Sequence, residues 1–128
     1  MTETKPIRRI AVVGSGVIGA SWSALFLAKG LKVVANDIAP SAETSLRTFV
    51  EAAWPALKRL GLSPGASQSN LEFTTSLAQA VAGVDLVQEN GPERIELKQK
   101  LYGQLDALLA PDVIIASSSS GIILSEIQ

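Results

Sequence analysis

The 128-residue chain contains neither cysteine nor histidine. The first absence excludes disulfide scaffolding, thiolate nucleophiles and zinc-thiolate centres. The second removes the commonest general base and, with it, a Ser-His-Asp arrangement within these residues. No metal site is expected. The chain also lacks an excess of either charge, with 11 Lys and Arg against 12 Asp and Glu. Without a basic stripe it offers no surface matched to a phosphate backbone, so nucleic acid is excluded as a partner. Long apolar runs are missing as well. Residues 1–6 are polar and do not form a signal peptide, and no stretch approaches a membrane span. The expectation is a soluble, cytoplasmic protein with no membrane partner.

What is present is the material of one globular domain: 47% apolar residues, 18% charged, and a mean hydropathy of +0.29. That balance suits near-continuous buried strands and a core large enough to stand alone. Residues Ile7 to Val13 read as a buried strand that feeds Gly14-Ser15-Gly16 directly. Val17 to Lys29 reads as a helix, with Ile18, Trp22, Leu25 and Phe26 at helical spacing and Gly30 placed to stop it. Lys32 to Asp37 is the second strand, which completes a βαβ unit with a parallel pair and a right-handed crossover. Ser41 to Leu60 carries Ala42, Leu46, Phe49, Val50, Ala53, Trp54, Leu57 and Leu60 on one helical face, and Pro55 is expected to kink or split it. A Gly/Ser/Pro-rich loop spans Gly61 to Asn70. Then come a third strand at Leu71 to Thr75, a brief helix at Leu77 to Val81 and a fourth strand at Val84 to Glu89. Pro92 stands at a first helical position with Glu93 and Glu96 in the first turn. Leu97, Leu101, Leu105 and Leu108 form the inner stripe of that helix. Val113 to Ala116 is a fifth strand, and a further helix begins near Leu124. This alternation predicts an α/β fold with a doubly wound parallel sheet of Rossmann type.

The segment Gly14-Ser15-Gly16-Val17-Ile18-Gly19 matches G-x-G-x-x-G. It lies between a predicted strand and a predicted helix, the context that gives the pattern physical content. Gly14 permits the sharp turn, Gly16 lets the backbone approach a pyrophosphate, and Gly19 lets helix pack close on strand. The unpaired amides at the helix start then hold the anion. No Gly-Lys-Ser/Thr follows, so a mononucleotide P-loop is excluded. Asp37 lies 23 residues past Gly14, near the expected spacing of about 20 for the carboxylate that takes the adenosine ribose hydroxyls. Its charge would repel a 2′-phosphate and no arginine follows directly, so NAD is favoured over NADP. Asn90-Gly91-Pro92 ends the fourth strand on the same carboxyl edge, where its backbone could flank the second ribose or the nicotinamide. On spacing alone Glu93 and Lys98 read as a solvated helix face. Ser117 to Ser120 follows the fifth strand on that edge. A serine there can hold a substrate hydroxyl or cap the next helix, and spacing does not choose between the two.

With these residues in place the sequence resembles the N-terminal NAD-binding domain of the 3-hydroxyacyl-CoA dehydrogenase family along essentially its whole length. The likeness is carried by V-V-G-S-G-V-I-G-A-S-W, Q-E-N-G-P-E-R-I-E-L-K and I-I-A-S-S-S-S-G. Within the family it looks most like the branch that includes L-carnitine dehydrogenase and lambda-crystallin. The resemblance implies that Gly14, Ser15, Gly16, Val17, Ile18, Gly19 and Asp37 bind the adenosine diphosphate part of NAD. It implies that Glu93 and Lys98 line the nicotinamide side, reversing the assignment made from spacing and joining the Asn90 and Gly91 already placed there by position, and that Ser120 meets both substrate and nicotinamide.

The family's catalytic histidine, its carboxylate partner and its substrate-site asparagine would fall after residue 128. The expectation is therefore a domain of residues 1–128, truncated before a C-terminal helical domain. The full-length enzyme, expected to be a homodimer, would oxidise a 3-hydroxy acid, of L-carnitine or 3-hydroxyacyl-CoA type, to the 3-oxo product. These residues alone should bind NAD weakly and turn over nothing, and the fifth strand should lie at a sheet edge open to self-association. Two departures from the acyl-CoA members favour a small hydroxy acid. The lysine-rich segment after the second strand is shorter here, with only Lys58 and Arg59 beside Arg47, and the family's S-N-T-S is replaced by Ser117-Ser118-Ser119-Ser120. The alternatives are a non-catalytic, crystallin-like NAD-binding module and a methyltransferase.

Overall fold

A computed structural model of the chain describes residues 7–90, 95–109 and 113–117, with backbone only for 95–98 and 117. Five strands and four helices alternate: β1 (Arg9–Val13), α1 (Val17–Ala28), β2 (Lys32–Asn36), α2 (Ala42–Leu60), β3 (Leu71–Thr74), α3 (Leu77–Ala80), β4 (Leu86–Glu89), α4 (Ile95–Leu108) and β5 (Ile114–Ser117). The strands form one sheet in the order β3-β2-β1-β4-β5, with every pairing parallel. The chain therefore winds outward from β1 to β3 and then crosses back to β4 beside β1. This reversal opens a crevice at the carboxyl ends of β1 and β4, where such sheets bind ligands.

The central strands are buried on both faces, which is why they read as continuous apolar runs rather than alternating ones. Ile10, Val12, Val33 and Ala35 join Leu27, Leu46, Val50 and Leu71 in one core layer, beneath α1 and α2. Ala11, Val13, Val34 and Val87 pack with Ala80, Val81 and Leu105 in the other, beneath α3 and α4.

Helix α1 departs from the expected orientation. Ile18, Trp22 and Leu25 are half or more exposed to partly exposed, at 54%, 37% and 48%, while Gly19, Ala20, Ser23, Ala24 and Leu27 are buried. In a helix apolar all round, side-chain size decides which face turns inward. The small residues let the backbone approach the sheet, and the Ser23 hydroxyl satisfies itself on the Gly19 carbonyl at 2.8 Å. Trp22 and Phe26 stack with centroids 5.5 Å apart.

Helix α2 runs unbroken through Pro55, so the expected split does not occur. The carbonyl that loses its helical donor to Pro55 belongs to Glu51, an exposed residue on the solvent side of the helix. Two ends of the expected stripes also fail. Leu60 is 85% exposed and Leu108 45% exposed, each in the last position of its helix. Past Leu60 the chain turns back, with the Ser63 amide donating to the Ala28 carbonyl, and beside Leu108 it is Leu109 that packs on the core. Strand β1 begins at Arg9 rather than Ile7, and the backbone amides of Arg8 and Arg9 donate to the Asp85 carboxylate instead. Strand β5 is the outer strand of the described sheet. Expectations for Pro92 and for a helix near Leu124 lie outside the described residues. No helix among the described residues is long and apolar enough to cross a membrane.

Candidate cofactor site

The carboxyl ends of β1, β2, β3 and β4 converge on a cleft of about 670 Å3, within the size range of small-molecule and cofactor sites. Its floor is the turn after β1. Gly14 has φ of +88°, a conformation that L side chains rarely adopt, so this position requires glycine. The turn is tied to the strand beside it, with the Gly14 amide donating to the Asn36 carbonyl at 2.8 Å. On the other side the Asn90 amide donates to the Val13 carbonyl at 2.8 Å, and the Asn90 side-chain Nδ2 reaches the Gly14 carbonyl at 3.4 Å.

Gly19 is glycine for a different reason. A methyl there would overlap the Gly14 carbonyl, so the absence of a side chain is what lets α1 lie against the turn. Gly16 is different again. Its φ of −60° lies outside the left-handed region that favours glycine, and a Cβ on it would meet nothing within 4 Å among the described residues. Neither a left-handed backbone nor packing among the described residues asks for glycine at 16, yet Gly16 lines the cleft. A side chain there would fill space the cleft leaves open. No side chain caps the start of α1, and its first intrahelical bond runs from the Ala20 amide to the Gly16 carbonyl at 2.8 Å. The amides before it are those that a helix start offers to an anion.

Asp37, just past β2, lines the cleft. Its Oδ2 accepts from the Ser15 amide at 2.9 Å and the Ser15 hydroxyl at 3.2 Å, and its Oδ1 from the Ala39 amide at 3.0 Å. Partial burial pushes the carboxyl upward, but the hydrogen bonds from the Ser15, Ala39 and Ile38 amides and the Ser15 hydroxyl together outweigh it. Asp37 is held below the ordinary aspartate value of 3.8.

The structure thus brings Gly14, Gly16, Asp37 and Asn90 around one cleft and sets Gly19 behind it. Ser15 is buried, at 6% exposure, and faces Asp37. Val17 and Ile18 stand exposed in the first turn of α1. Lys98 lies on α4, whereas Gly91, Glu93 and Ser120 lie outside the described residues. The remaining walls were not anticipated from the sequence: Ile38, Thr75, Leu77 and, from α4, Lys100, Leu101 and Gln104. Ile38 and Thr75 follow directly on strand ends at the ligand edge, so topology alone could have flagged them. Lys100, the one basic wall residue among the described residues, carried no local signal. No group of His, Cys, Asp or Glu able to hold a metal occurs among the described residues.

Fold and cleft together define a dinucleotide-binding α/β domain, with its anion-binding turn at the switch point of a doubly wound sheet. The 3-hydroxyacyl-CoA dehydrogenase NAD binding domain matches residues 9–128. The chain belongs to that family, and its cofactor is NAD. It is 52% identical, over all 128 residues, to 40% of the length of an L-carnitine dehydrogenase from Streptomyces coelicolor. It is 48% identical, over 98% of its length, to 39% of the L-carnitine dehydrogenase of Pseudomonas aeruginosa. The structure superposes on 3-hydroxybutyryl-CoA dehydrogenase from Escherichia coli with a TM-score of 0.84 and 27% identity, covering 96% of this chain and 27% of that one. The chain spans about two fifths of the length of these curated relatives.

Proposed function

We propose that this chain is the cofactor-binding domain of an NAD-dependent dehydrogenase that oxidises a small 3-hydroxy acid, L-carnitine foremost, to its 3-oxo product. The observation that carries the cofactor half of this proposal is Gly16, a glycine without a left-handed backbone and without a packing neighbour among the described residues, at the mouth of an uncapped helix start. There the amides from Gly16 to Gly19 hold the pyrophosphate. Asp37 takes the adenosine ribose and disfavours a 2′-phosphate. Leu77, Leu101 and Ile38 supply apolar walls for the base, with Lys100 and Gln104 at its polar rim.

Bound NAD supplies the hydride acceptor. The domain contributes placement and electrostatics. Asn90 steadies the turn from the β4 side, and by family resemblance Gly91, Glu93 and Lys98 flank the nicotinamide while Ser120 orients the substrate.

The choice of a small acid over an acyl-CoA is supported by where the cations lie. Arg47 is engaged by Glu43 at 3.0 Å. Lys58 and Arg59 sit in the last turn of α2, beside the loop that returns to the end of α1 and so at the sheet edge opposite the cleft. That position keeps Lys58 and Arg59 away from a CoA phosphate entering at the carboxyl edge, which leaves only the Glu43-paired Arg47 of the three. The whole enzyme is further proposed to be a cytoplasmic homodimer acting in carnitine or fatty-acid metabolism.

Titration of the chain with NAD, NADP and S-adenosylmethionine, followed by thermal shift, tests the assignment. Stabilisation by NAD alone is expected, and stabilisation by S-adenosylmethionine instead would overturn it.

A further inference from the structure

The cofactor assignment gives Asp37 one task, holding the ribose, but its contacts point to a second. Before any ligand arrives, most of the roughly four acceptor sites of a carboxylate are in use, and two of the bonds come from a single residue of the glycine turn. The Ser15 amide and hydroxyl both donate to Oδ2, at 2.9 and 3.2 Å. Ser15 is consequently tucked against the end of β2 at 6% exposure, while Gly14 and Gly16 on either side of it line the cleft. The third bond, from the Ala39 amide to Oδ1 at 3.0 Å, fixes the carboxylate from the β2 side, so it spans two strand ends as a rigid bracket.

Among the described residues no other hydrogen bond holds Ser15 itself. Gly14 is held through its own amide and carbonyl, but a Cβ on Gly16 would meet nothing within 4 Å among the described residues, and α1 has no side-chain cap bond. A turn of two glycines around one serine has wide backbone freedom, and its entropy must be removed before its amides can act as a preorganised anion site.

We propose that Asp37 is a positioning residue for the phosphate-binding turn: by accepting the Ser15 amide and hydroxyl it presets the turn for the pyrophosphate, independently of any contact with ribose. This rests on the cofactor assignment above and deepens it. Ser15 acts on the ligand through the turn and need not touch it.

The test uses ADP and 2′,3′-dideoxy-ADP, titrated calorimetrically into the wild-type chain and into Asp37→Ala, Asp37→Asn and Ser15→Ala. A residue that served the ribose hydroxyls alone would leave dideoxy-ADP affinity unchanged in Asp37→Ala. A residue that also presets the turn should weaken dideoxy-ADP roughly tenfold in that variant, the size of one lost charge-assisted bond. Asp37→Asn keeps an oxygen able to accept from Ser15 and should recover most of that loss, and Ser15→Ala should weaken both nucleotides by the same factor, roughly two- to threefold. Amide exchange supplies a second readout that survives poor binding: the Ser15 amide should lose protection in Asp37→Ala while the Leu27 amide in α1 keeps it. Equal affinity of wild type and Asp37→Ala for dideoxy-ADP, or an unchanged Ser15 exchange rate, would overturn the proposal. A wild-type chain that binds neither ADP nor NAD would instead overturn the cofactor assignment, and this inference with it.

Discussion

Replacing Gly16 with alanine separates ligand access from folding. At φ of −60° the backbone is outside the left-handed region, and the alanine methyl would meet nothing within 4 Å among the described residues. As a helix N-cap, alanine is poorer than glycine by up to about 1 kcal/mol, and restricting the unfolded chain returns about 0.4–1 kcal/mol. The two largely offset, so stability should change by no more than about 1 kcal/mol in either direction. Binding should not escape so lightly. A methyl in the open mouth of the turn holds a pyrophosphate away from the amides, and each charge-assisted hydrogen bond lost costs about 1.5–3 kcal/mol, or roughly 10- to 150-fold in Kd.

Gly19→Ala provides the contrast. Its methyl overlaps the Gly14 carbonyl, and such overpacking costs about 1–3 kcal/mol, more than the roughly 1 kcal/mol alanine gains in helix propensity. NADH titration by fluorescence and thermal melting, run on both variants, give the comparison. Gly16→Ala should melt like wild type and bind poorly, whereas Gly19→Ala should melt lower by several degrees. Wild-type NADH affinity in Gly16→Ala would refute the reasoning that this glycine exists for the ligand.

Other consequences can be checked alongside. Asp37, held below 3.8 in the folded chain, contributes stability that is present above its unfolded value and is lost as pH falls through its lower folded value. The stability gap between wild type and Asp37→Asn in urea titrations should therefore be open at pH 7 and close below about pH 4; a gap independent of pH would contradict this. Leu27→Ala, at a fully buried position, should lose about 2–5 kcal/mol in the same assay. The Asp37 carboxylate should make NADP bind at least roughly fivefold more weakly than NAD, since a like charge a few ångströms away costs about 1–4 kcal/mol. A chimera with this chain in place of the matching 128 residues of the Streptomyces coelicolor relative should oxidise L-carnitine with NAD. A folded, NAD-binding chimera inert toward L-carnitine would count against the substrate proposal.

The succession of parallel strands was legible because most strands announce themselves chemically. β1 and β2 are largely apolar and run into Gly14 and Asp37, β4 is marked instead by its Asn90-Gly91-Pro92 end, and a βαβ unit with these ends can be laid out in few ways. The glycine turn and Asp37 were legible for the same reason, since each follows a strand at a fixed offset. The facing of α1 was not. Val17, Ile18, Trp22 and Leu25 are as apolar as the residues that turn inward, and what selects Ala20, Ser23 and Ala24 is their size at a close backbone approach. The contribution of α4 was also hidden, because Lys100 and Gln104 come to line the same cleft as Asp37 only through tertiary packing. The Ser15 contact escaped for a related reason: a serine between two glycines suggests ligand binding, and only the pairing of β1 with β2 brings Asp37 close enough to claim it.

The most direct test is a map of backbone amide chemical shifts in the 15N-labelled chain during titration with NAD. The largest changes should fall on Gly16, Val17, Ile18 and Gly19, with Asp37 and its neighbours next and the far ends of α1 and α2 unmoved. Shifts that leave the glycine turn untouched, or that cluster on another face of the sheet, would contradict the assignment of this cleft to the dinucleotide.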